Sequence, residues 1–170
     1  INTTANAINV TYAYTLAATG CSNVQNVVVS VKPTPVLSTT LTPAAICSNT
    51  AFSYAPASAT AGTTFNWSRA VVAGISNAAA SGTNNPNETL INTNASAINV
   101  TYAYTLTAAG CSNVQNVVVS VKPTPTLSTT LTPAAICSNT AFSYAPASAT
   151  ASTTFNWSRA AVAGISNVAA

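Results

Sequence analysis

Residues 20–35 read GCSNVQNVVVSVKPTP, and the same sixteen letters return at 110–125. Sliding the chain by 90 positions aligns residues 1–80 with 91–170, and only eight of those 80 pairs differ. They are Thr4/Asn94, Asn6/Ser96, Ala17/Thr107, Thr19/Ala109, Val36/Thr126, Gly62/Ser152, Val71/Ala161 and Ala78/Val168. Every exchange is between small or medium uncharged residues. A period near 90 is too long for a solenoid, whose units run roughly 20–50 residues. It suits a self-sufficient β-sandwich module of about 100 residues. Tandem copies this similar point to reach, spacing or multivalency rather than to a single active site.

Within the period the hydrophobic pattern is that of strands. In AINVTYAYTLTAAG (97–110), Ile98, Val100, Tyr102, Tyr104 and Leu106 alternate with Asn99, Thr101, Ala103, Thr105 and Thr107. That period of two predicts a half-buried strand. Gly110-Cys111-Ser112-Asn113 then supplies turn residues. VQNVVVSVK follows with Val117, Val119 and Val121 on one face, and Pro123 and Pro125 end it because proline donates nothing to a ladder. Upstream, AFSYAPA (51–57) places Phe52 and Tyr54 on one face, and TTFNWSRA (63–70) places Phe65 and Trp67 inward. VVAGIS (71–76) reads as a short strand or a bent continuation, SGTNNPNE (81–88) as a loop, and ETLINT (88–93) as a weak strand. Prolines and β-branched residues are too frequent for a helix. The predicted core is Phe65, Trp67, Tyr102, Tyr104, Val117 and Val119.

Seven short strands with a tryptophan on the third make the expected fold all-β: tandem immunoglobulin-like sandwiches of about 90 residues. The natural frame places the end of one module at 1–33, a complete module at 34–123 and the start of the next at 124–170.

Composition removes most chemistry. The charged residues are Lys32, Arg69, Glu88, Lys122 and Arg159, and there is no His and no Asp. Without His, neither a Ser-His-Asp triad nor a typical zinc site is possible. A single carboxylate supplies no acid–base pair, and the usual calcium ligands are missing. No catalytic residue, cofactor site or metal site is expected, so the chain does not read as an enzyme. Four scattered cations form no patch for nucleic acid. No run approaches the 18 apolar residues of a membrane-spanning helix. A Thr, Ser and Asn surface with so little charge is poorly soluble alone and suits an assembled state.

The strings ICSNTAFSYAP, TTFNWSRA, AGIS, NETLIN, VTYAYTL, GCSN and VVVSVKPTP, in that order, resemble the PKD-like and Ig-like repeats of very large secreted surface proteins of Bacteroidota. The resemblance covers the whole chain. It implies export, a place at the cell surface, and a role in adhesion or fibre formation. Where ordinary PKD modules carry an Asp-rich WDFGDG turn, this chain has Trp67-Ser68-Arg69-Ala70, so no calcium role is carried over. Export together with an even cysteine count implies disulfides. Modules of the resembling type carry both cysteines, which implies a Cys47–Cys111 pair within the 34–123 frame. Cys21 and Cys137 would then pair with residues beyond this stretch. Closing that loop is worth about 4 kcal/mol on the entropic view. However, the first turn and the last hairpin of a seven-strand sandwich lie at opposite poles. A bridge from one module's first turn to its neighbour's last hairpin stays open as the alternative.

Trp67 with Arg69 offers a carbohydrate platform, although a tryptophan on this strand is more often core. Arg69 is expected at the strand end with its head in water, and Glu88 as a solvated loop acid. The expected function is a structural repeat of an extracellular filament or adhesin stalk, its partners being neighbouring identical modules or subunits. The alternative is a glycan- or cell-binding adhesin module. A ligand site would concentrate its variation in an exposed polar or aromatic cluster, whereas the eight exchanges are scattered and bland, which favours the stalk. Two periods make 180 positions, and the ten that this chain lacks correspond to SGTNNPNETL (81–90). Residues 124–170 of one unit and 1–33 of the next are therefore expected to complete one sandwich, in a continuous polypeptide or by strand exchange. The preserved phase favours continuity.

Overall fold

The computed structural model describes residues 1–167 and carries nine strands. They are β1 (Ile8–Ala18), β2 (Cys21–Val31), β3 (Ile46–Cys47), β4 (Thr50–Phe52), β5 (Thr64–Arg69), β6 (Ala80–Thr83), β7 (Glu88–Leu90), β8 (Ile98–Ala108) and β9 (Cys111–Lys122). No helix occurs among the described residues. β3 to β9 form one immunoglobulin-like sandwich. One sheet runs in the order β3-β9-β8-β5-β6, and β4 and β7 pair as the opposing layer. β3 joins the edge parallel to β9, with Cys47 opposite Lys122, and all the other pairings are antiparallel.

Alternation places the core. Val100, Tyr102, Tyr104, Leu106, Val117, Val119 and Val121 are fully buried between the layers, with Phe52 and Leu90 facing them from β4 and β7. Aromatic rings fill the centre. Tyr102 lies 5.0 Å from Phe52 and meets Trp67 edge-on at 5.5 Å, and Tyr104 lies 5.4 Å from Tyr54. These offset and edge geometries are the favourable ones for ring quadrupoles. Phe65 is only half-buried, packed on the margin of this cluster. It sits opposite Leu106, two residues nearer the end of the sheet than Trp67.

Three local expectations need correction. The β8–β9 turn is not at 110–113. It is the two-residue Ala109-Gly110, with φ of 50° and 83°, and β9 begins at Cys111. Two positive φ values match the right-handed twist of the flanking strands, the usual hairpin solution. VVAGIS is not a strand; it turns at Ala73-Gly74 and contributes a single bridge from Ile75 to Asn92. SGTNNPNE is a loop only from Asn84, because Ala80–Thr83 is strand β6. Gly82 explains it: it lies opposite Trp67, and a Cβ there would sit 2.9 Å from the indole Cζ2. The ring rests on bare backbone, and a glycine in a strand often marks such an approach.

β1 and β2 form a separate hairpin with the register of β8 and β9. Residues 124–167 contain no strand, yet they keep the local bonds of the complete module. Ser128 N–H donates to Ala147 as Ser38 does to Ala57, and Phe142 stacks on Tyr144 at 6.2 Å as Phe52 does on Tyr54.

Candidate functional site

The sandwich presents a buried charge cluster and two poles. In the cluster, Arg69 at the end of β5 is 2% exposed. Its Nε and Nη2 both donate to the Glu88 carboxylate at 2.9 Å, a forked pair, and Nη2 also donates to the Ala78 carbonyl at 2.6 Å. The Tyr102 hydroxyl donates to Glu88 Oε2 at 2.7 Å. Arg69 therefore does not place its head in water, and Glu88 is not a solvated acid. Alternation put Arg69 on the core face with Trp67, and that was the signal for its burial; the carboxylate that makes it tolerable comes from β7, 19 residues away.

Charge in this site is held firmly. The hydrogen bonds that Arg69 donates to Glu88 raise the Arg69 pKa against the opposing effect of burial. Burial pushes Glu88 upward, but the bonds from Arg69 and Tyr102 outweigh it and hold the carboxyl below its ordinary range. Burial, with the Glu88 contact, pushes the Tyr102 phenol far up, and burial does the same to Tyr104. A charge-neutral, fully occupied cluster of this kind fixes structure and offers neither a free base nor a nucleophile. The nearest concavity, about 400 Å³ beside Ser68–Ala70 and Ala79–Ser81, is a shallow surface depression. Trp67 is buried, and its indole N–H finds no partner. It is a core ring rather than a carbohydrate platform.

The leading pole is the tip of the β8–β9 hairpin with the chain that enters the module. Asn113 Nδ2 donates to the Pro35 carbonyl at 3.1 Å, and Leu37 N–H donates to Gln115 Oε1 at 2.6 Å. Pro33, Pro35 and Leu37 are buried in alternation. Lys32, just beyond β2, donates through Nζ to the Ala109 carbonyl at 2.8 Å. The trailing pole holds Cys47 beside Lys122. Ser48 N–H donates to the Lys122 carbonyl at 2.7 Å, and Asn92 Nδ2 donates to the carbonyls of Val121 and Ser96 at 2.8 Å.

The structure does not bring Cys47 and Cys111 together. Cys111 opens β9, while Cys47 pairs beside Lys122, which closes it. Eleven residue steps separate the two ends of β9. At about 3.4 Å per residue they lie roughly 37 Å apart, against a Cα separation below about 7 Å for any disulfide. The expected bridge within the module is therefore replaced by free thiols at opposite poles; Cys21 and Cys137 are free as well.

No helix among the described residues is long and apolar enough to cross a membrane. No curated protein and no solved structure matches the chain. Immunoglobulin-like domains of the PKD-like kind are generally non-catalytic and typical of extracellular proteins. Residues 44–125, which run from just before β3 to the prolines after β9, match the family model of the PKD-like domain.

Proposed function

We propose that the chain is a structural repeat of an extracellular filament or adhesin stalk, with modules joined pole to pole and completed by further copies of themselves. One observation carries this reading. Residues that are buried in the complete module are exposed at the repeat-equivalent positions on either side. Tyr102 and Tyr104 are at 0% exposure, whereas Tyr12 and Tyr14 are at 53% and 57%; Trp67 is at 7% and Trp157 at 78%. The exposed hairpin and the exposed 124–167 segment supply most of one sandwich, which in a continuous polypeptide gains the equivalents of β7 and most of β6 from the ten positions that join them. Applying the β5–β8 register, Trp157 of one unit lies against Tyr14 of the next, as Trp67 lies against Tyr104.

Magnitudes favour the union. Full burial of Tyr12, Tyr14, Leu16, Val27, Val29, Phe142, Trp157 and Ile165 would contribute about 1.5–3 kcal/mol each. All are already partly covered, so the gain is nearer half, roughly 6–12 kcal/mol in total. Bringing separate molecules together costs roughly 4–15 kcal/mol. A tethered partner escapes most of that cost, which supports a continuous polypeptide.

Electron microscopy of the assembled protein tests the proposal. The expected result is a linear filament with an axial step of about 40 Å, the length of twelve strand residues. Tyr12→Ser with Tyr14→Ser should abolish it. Dispersed monomers at every concentration would refute the reading. A reducing denaturing gel separates a continuous polypeptide, which runs as a very large species, from subunits of 17.0 kDa.

A further inference from the structure

We propose that each joint of the array is stapled by a disulfide between the first-turn cysteine of one module and the hairpin-tip cysteine of the next. Cys47 then bonds Cys21 of the following unit, and Cys137 bonds Cys111 of the following unit. The inference rests on the end-to-end reading above.

The pairing follows from where the poles lie. Cys21 and Cys111 each open the second strand of a hairpin at a leading pole, and Cys47 lies at a trailing pole with Cys137 its repeat equivalent. No two cysteines of one unit therefore share a pole. Every joint, however, sets one trailing pole against one leading pole and so supplies one cysteine from each side.

One such joint lies within the chain. Lys32 is the repeat equivalent of Lys122, whose strand partner is Cys47. In the module completed across two units, that partner beside Lys32 is Cys137 of the preceding unit. Lys32 Nζ in turn reaches the Ala109 carbonyl, in the turn that leads directly into Cys111. The joint is held in that arrangement by the buried Pro33 and Pro35 and by the bonds to Asn113 and Gln115. At the other joint the same geometry brings Cys47 to Cys21. Cys47 is exposed and Cys111 half-buried, so both sulfurs are reachable before the joint closes.

The chemistry is thiol–disulfide exchange with an external disulfide, either a protein disulfide oxidant or oxidised glutathione. One thiolate attacks the oxidant's disulfide and forms a mixed disulfide. The facing thiolate then displaces the oxidant's second sulfur. One S–S bond forms between modules, two protons leave, and two electrons reduce the oxidant to two thiols.

The test uses the 170-residue chain expressed on its own, so that a bond between units joins separate polypeptides, assembled with oxidised glutathione in three double Cys→Ser variants and run on a non-reducing denaturing gel. The variant retaining Cys21 and Cys47 should give a ladder at multiples of 17.0 kDa. So should the one retaining Cys111 and Cys137. The variant retaining Cys47 and Cys111 should give no ladder and two alkylatable thiols. Reductant should collapse both ladders. An oxidised monomer from the last variant, or four alkylatable thiols in an assembled unsubstituted filament, overturns the proposal. Filaments that form with all thiols free defeat the staple alone, and the absence of filaments defeats the end-to-end reading on which it rests.

Discussion

Glu88 is the only side-chain carboxylate in 170 residues, so replacing it isolates one buried ion pair without interference. In Glu88→Gln, the Arg69 side chain stays at 1% exposure with its charge uncompensated, and Tyr102 loses an ionised acceptor. Removing one partner of a buried pair costs about 3–5 kcal/mol. Glutamine keeps one carbonyl acceptor and Glu88 is itself 16% exposed, so the lower end, about 3 kcal/mol, is expected. The assay is urea unfolding followed by Trp67 fluorescence in a Trp157→Phe background. With a slope near 1–1.5 kcal/mol per molar for a module this small, the midpoint should fall by about 2–3 M. Acid supplies the sharper criterion. The folded pKa of Glu88 is lowered, so its stabilisation is complete above the ordinary carboxylate pKa of about 4.3. It is lost as pH falls through the lowered folded value. The parent module should weaken in that window, and Glu88→Gln should be nearly flat there. Parallel pH profiles for the two proteins would refute the argument. Arg69→Met with Glu88→Leu should recover part of the loss, because no buried charge is left unpaired, while the Tyr102 hydroxyl and the Ala78 carbonyl give up their bonds to the pair.

Four further outcomes follow from the same geometry. Trp67→Ala should destabilise by about 3–5 kcal/mol in urea unfolding, as expected for emptying a buried aromatic site. Gly82→Ala should cost about 1–3 kcal/mol by driving a methyl into the Trp67 ring, and the indole emission should shift with it. Ala109→Asn should raise stability by about 0.5–1 kcal/mol, read as a higher Tm, because asparagine tolerates the positive φ that alanine resists. At high pH the raised phenols of Tyr102 and Tyr104 contribute stability that is complete below about pH 10 and is lost as pH climbs toward their folded values. Spectrophotometric titration should therefore show these two ionising late, together with unfolding.

Strand identity was legible wherever period-two alternation ran long, as in β8 and β9, because burial of one face dictates every second residue. It failed where backbone rather than side chain decides. β6 was hidden because Ala80, Ser81 and Gly82 carry little strand signal of their own; the strand lays bare backbone under Trp67. The hairpin turn is expected at 110–113 because Gly110-Cys111-Ser112-Asn113 has turn composition, while the strand twist selects the two-residue Ala109-Gly110. The Arg69–Glu88 pair was out of reach for a different reason. Alternation reports which face a residue takes, and it says nothing of a partner on the opposing sheet. The opposite poles of a sandwich already spoke against a Cys47–Cys111 bridge, and the parallel register of β3 on β9, a long-range contact that no local pattern encodes, fixes how far apart the two lie.

The eight exchanges between copies fall where this structure predicts tolerance. In the complete module they occupy Val36, Gly62, Val71, Ala78, Asn94, Ser96, Thr107 and Ala109; Thr107 is half-buried and the rest are exposed. None is a member of the aromatic centre or of the Arg69–Glu88–Tyr102 cluster, which Ala78 meets only through the backbone carbonyl that accepts from Arg69, and none falls on Pro33, Pro35, Asn113 or Gln115. Two of them sit at positive φ, Gly62 at 68° with Ser152 at 58°, and Ala109 at 50° with Thr19 at 33°. There the backbone, not the side chain, is specified, and a non-glycine residue tolerates it only at a cost of about 1–2 kcal/mol. A core tolerates volume-conserving hydrophobic exchange at modest cost, so module stability alone leaves room for drift inside the sandwich. A chain in which the interior of one unit is built from parts of two does not. There residues 1–33 of one unit must fit residues 124–167 of its neighbour, so a core substitution in either half is felt across the joint. That requirement gives a physical reason for drift confined to surface and turns, and it is testable. Val27→Ile, modest alone, should be worse than additive when combined with Phe142→Leu if Val27 of one unit and Phe142 of its neighbour share a core, and additive if they do not.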